Sequence, residues 1–120
     1  MSDEAQVRNV NLSDLPTVIT SYLDAHRNHE TMLALNAFAD NAVVEDDDRT
    51  YQGRSAIDAW LNRSSSEYTY TITPIAVHQI DDSHFVVVNH LEGNFPGGQV
   101  DLRYQFTLGG GRITHLTIEV

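Results

Sequence analysis

The second half of the chain constrains the fold most. Residues 68–80, 84–93, 99–108 and 112–120 are four segments of alternating or β-branched apolar character, separated by Asp81-Asp82-Ser83, Phe95-Pro96-Gly97-Gly98 and Gly109-Gly110-Gly111. Val, Ile, Thr, Tyr and Phe suit a pleated surface, whereas Gly, Pro, Asp and Ser supply tight reversals. Consecutive strands joined by such reversals pair as antiparallel hairpins. Half the chain is therefore committed to a meander. Pro74 interrupts the first strand, which predicts a bend, a bulge or an edge there, because Pro has no N–H for the ladder.

The first half has a different period. Ser13-Asp14-Leu15-Pro16 joins a capping residue to an early Pro, and Leu15, Val18, Ile19, Tyr22, Leu23 and His26 follow at helical spacing, predicting a helix over 13–28. Met32, Leu33, Leu35, Ala37 and Phe38 form a shorter stripe, predicting a second helix over 30–39 that ends at Asp40-Asn41. Ala42–Asp46 reads as a strand, Tyr51-Gln52 as a short extended piece, and Gly53 as the turn before a third helix over 55–64 with Ile57, Trp60 and Leu61 inward. Residues 1–11 are polar and aperiodic and are expected to form a loose arm. Helices first and strands after imply an α+β fold, with three N-terminal helices packed on one face of a curved, mainly antiparallel sheet. At 120 residues, one domain over 1–120 accounts for the whole chain.

Composition narrows the function. Seven basic residues, all Arg and scattered singly, stand against seventeen acids, for a net charge of −10, so phosphate backbones and anionic lipid are repelled and neither nucleic acid nor a membrane is an expected partner. No window approaches the roughly 18–20 apolar residues of a membrane span, and the N-terminus lacks a basic start and apolar block, so a cytoplasmic protein is expected. There is no Cys, which removes disulfides, thiolate metal sites and Cys nucleophiles. No H-E-x-x-H spacing, calcium loop or Gly-rich phosphate loop is present, so neither a metal nor a cofactor is expected.

Two stretches carry a resemblance. SYLDAHRNHETMLALNAFADNAVVEDDDRTYQGRSAIDAWL, residues 21–61, is similar to the nuclear transport factor 2-like superfamily in its order of helix, helix, F-A-D-x-A, strand, acidic end and G-x-x-A-I. LEGNFPGGQVDLRYQFTLGGGRITHLTI, residues 91–118, resembles the same superfamily in its hairpin and its F-x-[LV]-x-x-G-[KR]-I closing strand. The ketosteroid isomerase-like and SnoaL-like polyketide cyclase members are the ones resembled. That likeness implies a cone-shaped α+β fold with a central pocket and a homodimer formed through the outer face of the long strands. Isomerases, cyclases, dehydratases, epoxide hydrolases and binding modules share this cone, so the fold alone does not fix the activity.

In ketosteroid isomerases a Tyr on the first helix donates to the substrate oxyanion and an Asp at the end of the first strand moves the proton. A match without gaps from Tyr22 through His26 and Phe38 to Asp46 implies these roles for Tyr22 and Asp46. The family's third group, a protonated Asp, falls on Leu102, and Asp101 lies one residue away on the opposite strand face. The oxyanion hole is thus incomplete, and a steroid isomerase is not expected.

Each candidate has two readings. Asp46 is a general base sharing a strand face with Val44, or one more solvated acid in the run Glu45, Asp46, Asp47, Asp48, whose other members are expected to face water. Tyr22 is a cavity donor or a core Tyr, and His26, one turn on, hydrogen-bonds a ligand or Asp46 or is a partly buried structural His at a helix end. His90 interrupts the apolar strand FVVVNHLEG and faces either the cavity or solvent. Asp101 and Arg103 share the face opposite Leu102, where an exposed or dimer-interface ion pair is expected. Phe38, Val44, Trp60, Leu102, Tyr104 and Phe106 are the expected apolar wall for a hydrophobic small molecule. These residues suit cofactor-free acid–base chemistry on a hydrophobic carbonyl compound, as in an isomerase, cyclase or lyase. The alternative is a non-catalytic ligand-binding or dimeric interaction module of the same fold.

Overall fold

A computed structural model of the chain describes residues 8–120. The elements run β1 (Arg8–Asn9), a single 3₁₀ turn (Leu12–Asp14), α1 (Thr17–Arg27), α2 (Thr31–Asn36), β2 (Phe38–Asp46), β3 (Arg49–Gln52), α3 (Arg54–Ser66), β4 (Tyr70–Gln79), β5 (His84–Gly93), β6 (Gln99–Gly109) and β7 (Arg112–Glu119). The four long strands lie where their turns predict them. The strands form one sheet in the order β1-β4-β5-β6-β7-β2-β3, antiparallel throughout except where β2 runs parallel to β7. Helices and sheet together make the expected α+β cone. No helix among the described residues is long and apolar enough to cross a membrane.

Three boundaries depart from the sequence expectation, each for a local reason. The first helix starts at Thr17, since Asn11 N–H donates to the Asp14 carboxylate at 3.0 Å and closes a separate turn, and Pro16 is extended at ψ 144°. The second helix stops at Asn36 because Ile113 N–H donates to Ala37 C=O at 2.8 Å and draws Phe38 into the sheet. Asp40-Asn41 then falls within a pairing irregularity of β2 against β7, interrupting a ladder rather than ending a helix. Of the arm expected over 1–11, residues 1–7 lie outside the described residues. Arg8 and Asn9 pair with Gln79 and His78, so the arm is not loose there.

Two hairpins turn on positive φ. Asp46 pairs with Arg49 and Gly109 with Arg112, which leaves two-residue loops at Asp47-Asp48 (φ 54° and 62°) and Gly110-Gly111 (φ 62° and 79°). Both loops have the signature of the type I′ turn, whose twist matches the flanking strands. Asp tolerates that region better than most side-chain-bearing residues, and Gly adopts it freely. At Pro74 the predicted irregularity is present: the register of β4 on β5 slips between Pro74 and Ala76.

The core lies between the helices and the concave sheet face. Ile19, Tyr22, Phe38, Val44, Ile57, Leu61, Val87, Phe106, Ile113 and Leu116 are fully buried there. Strand directions then bring the ends of β2, β5 and β7 and the starts of β4 and β6 to one end of the sheet. The C-terminal end of α1 and the middle of α3 cover that end, and the candidate site is there.

Candidate functional site

A cavity of about 490 Å³ opens at this end, with His26, Asp46, Trp60, Tyr70, Leu91, Leu102, Tyr104 and Ile118 in its wall and Asp47, Asp48, Glu67 and Glu119 among the other residues that line it. Asp46 is the last residue of β2, on the same face as buried Val44, and pairs across to Ile118. Trp60 Nε1–H donates to Asp46 Oδ2 at 3.0 Å, so the indole fixes the orientation of the carboxylate. Burial raises the Asp46 pKa and the adjacent Asp47 adds to this, while the Trp60 bond and the Arg63 charge pull the other way. A carboxylate in that position is a stronger base than a solvated Asp.

Three rings stack across the helices. Tyr22 and His26 are parallel within 7° at 5.8 Å between centroids, and His26 and Trp60 within 8° at 6.4 Å. Spacing i, i+4 on α1 produces the first pair. His26 is held neutral, its pKa lowered from 6.5 to about 4 by burial and then by the charge of His29. Tyr70 hydroxyl lies 3.4 Å from His26 Nε2 and donates to Ser64 C=O at 3.2 Å. Tyr22 hydroxyl and His26 Nδ1 are buried with no protein partner. Burial drives the Tyr22 pKa well up, reinforced by Tyr104, Tyr70 and Asp46. Tyr104 and Tyr70 are raised in the same way, by burial first and with Asp46 contributing. All three hydroxyls therefore remain protonated donors, within electrostatic reach of one carboxylate.

The structure brings together Asp46, His26, Trp60, Leu102 and Tyr104 in the cavity wall, whereas Tyr22 is fully buried and does not line it, lying behind His26 in the ring stack. Phe38, Val44 and Phe106 do not line the cavity. They lie deeper in the core, where the edge of the Tyr22 ring meets Phe38 at 5.4 Å and Phe106 at 5.8 Å. Strand parity places them on the correct face, but it does not say how deep the cavity reaches. His90 is a correction. Its neighbour Leu91 lines the cavity, so His90 points to the outer face, where Asp101 at 2.6 Å and Glu92 at 2.9 Å flank its ring. Asp101 thus partners His90 rather than Arg103. Glu45, expected to face water, pairs on the outer face with His115 at 2.5 Å.

Tyr70 was not among the sequence candidates. Its alternation with Ile72 is a signal, but the slip at Pro74 hides which face of β4 is inward. Asn89 was also missed, and polarity in an apolar strand was its only mark. Among the described residues, no group of three or more His, Cys, Asp or Glu is placed to hold a metal ion.

A candidate polyketide cyclase from Sinorhizobium meliloti has a solved structure that is 34% identical to this chain, covering 92% of it and 100% of the bacterial chain with a TM-score of 0.85. The chain belongs to the nuclear transport factor 2-like superfamily, among its SnoaL-like and ketosteroid isomerase-like members. More distant members of the superfamily show the same fold. SalBIII, an epoxide hydrolase/cyclase-like enzyme of pyran-ring formation in salinomycin, is 22% identical over 84% of this chain and 85% of its own, with a TM-score of 0.72. RV0760c of Mycobacterium tuberculosis, solved with estradiol-17β-hemisuccinate, is 17% identical over 86% of this chain and 90% of its own, with a TM-score of 0.72. No protein-family model matches the chain. No curated protein matches it either.

Proposed function

We propose that this superfamily member binds an apolar carbonyl compound in its cavity and catalyses cofactor-free proton transfer on it, as an isomerase or cyclase would. The observation that carries this reading is Asp46: a half-buried carboxylate of raised pKa, oriented by Trp60 and facing a cavity with protonated Tyr hydroxyls. Asp46 takes a proton alpha to the carbonyl, and the negative charge moves to the carbonyl oxygen. Tyr104 at the cavity wall donates to that oxygen, and neutral His26 stacks between Tyr22, which lies behind the wall, and Trp60. Related structures hold ligands that suit such a cavity, a steroid ester in RV0760c and trimethylamine in a Catenulispora acidiphila protein.

The expected homodimer belongs to the same proposal, with the outer face of β5, β6 and β7 covered by a second copy. Sedimentation at twice the 13.4 kDa chain mass supports it, and a monomer at micromolar concentration rules it out.

Incubating the protein with β-tetralone in D2O and following loss of the α-proton signal by NMR tests the catalytic reading. Exchange should exceed the buffer rate in the wild type, and Asp46→Asn should slow it by about 10²–10⁴-fold. The variant should not melt earlier, since Asn can still accept from Trp60. Equal exchange by both proteins removes Asp46 as the base.

A further inference from the structure

Asn89 is fully buried, and neither its amide N–H groups nor its carbonyl oxygen has a hydrogen-bond partner in the protein. Buried amides are almost always satisfied, so an orphan of this kind requires a reason. Its position supplies one. Asn89 lies on the inner face of β5, directly across from Leu102 of β6 and two residues from Leu91; both of these line the cavity, and Asn89 itself sits just behind that lining. On the other side it faces Pro74, where the register of β4 slips.

We infer that Asn89 is a second ligand-binding group, reached from the cavity when a ligand displaces Leu91 or Leu102, and that it recognises an oxygen function beyond the reacting carbonyl. An amide offers a donor and an acceptor side by side. Its N–H groups can donate to the second oxygen of a β-dicarbonyl compound, an acceptor that a simple ketone lacks. The substrate class is then an apolar compound with two nearby oxygen functions, the first held by Tyr104 and the second by Asn89. This rests on the cavity reading above but not on Asp46 being the base.

Benzoylacetone and butyrophenone test the inference, because they share a skeleton and differ in the second carbonyl. Calorimetric titration should show the wild type binding benzoylacetone about tenfold more tightly, the yield of one added hydrogen-bonded group. Asn89→Leu keeps the number and branching of heavy atoms. It should erase that preference and raise the melting temperature by about 5 °C, since an unpaired amide is removed from the interior. In the wild type the Asn89 side-chain NH2 resonances should move with benzoylacetone and stay in place with butyrophenone, a readout that does not depend on the variant folding. A preference that survives Asn89→Leu overturns the inference. So does a variant that melts earlier, or NH2 resonances indifferent to both compounds, which would leave an ordered water as the sole partner. If neither compound binds the wild type, the cavity reading fails with it. If both bind equally while Asp46-dependent exchange persists, Asn89 alone is removed.

Discussion

His26 shows how one buried group couples the site to pH. Above pH 6.5 its imidazole is neutral in the folded and unfolded chain alike. As the pH falls from 6.5 towards 4, the unfolded chain takes up a proton that the folded chain refuses. Stability is therefore lost across that window, by about 3 kcal/mol in full, and is present above it. His90 works in the opposite direction, because hydrogen bonds to Asp101 and then Glu92 raise its pKa. Comparison with His26→Phe isolates the effect, since Phe keeps the stack on Tyr22 and Trp60 but cannot titrate. Urea unfolding at pH 7 and at pH 4.5 should show a larger loss for the wild type than for the variant. An equal loss would mean that His26 is already charged inside.

At the scale of elements, the acidic run divides by geometry. Val44 and Asp46 share the inner face of β2, Glu45 pairs outward with His115, and Asp47 and Asp48 form the turn. Side-chain-bearing residues cost roughly 1–2 kcal/mol in the left-handed region. Asp48→Gly should accordingly stabilise the protein by about 0.5–1 kcal/mol in chemical denaturation, and a loss of stability would show that the Asp48 side chain supports the turn. The order of elements was legible because turn chemistry and period are local: every long strand lies between the reversals that predicted it. The inward faces of Asp46 and Trp60 were legible through strand parity and helical spacing. What was not legible depends on distance along the sequence. Phe38 reads as a helix end until the parallel pairing with β7 is known, and the face of His90 cannot be fixed when both sides of β5 are apolar. Depth in the cone, which separates Phe106 from Tyr104, leaves no trace in the sequence.

For the molecule as a whole, charge and shape act together. The net charge is −10, and Asp47, Asp48, Glu67 and Glu119 are among the residues that line the cavity. An anionic ligand approaches against that field, which salt weakens with a screening length of about 8 Å at physiological ionic strength. A carboxylate-bearing tetralone should therefore bind more weakly than tetralone itself, with the gap narrowing as salt rises. The chain has one Trp, Trp60, in the cavity wall, so quenching of its fluorescence reports both affinities. A gap that salt leaves unchanged would point to shape rather than charge.

The central claim is that Asp46 is a cavity base whose burial makes it stronger than a solvated Asp. The pH dependence of kcat/KM for α-proton exchange on β-tetralone tests this most directly, because it reports the pKa of the essential base in the free protein. The rate should rise with pH and level off, with a midpoint above the ordinary Asp value of 3.8, and Asp46→Asn should show no such rise. A midpoint at or below 3.8, or the same profile in the variant, would contradict it.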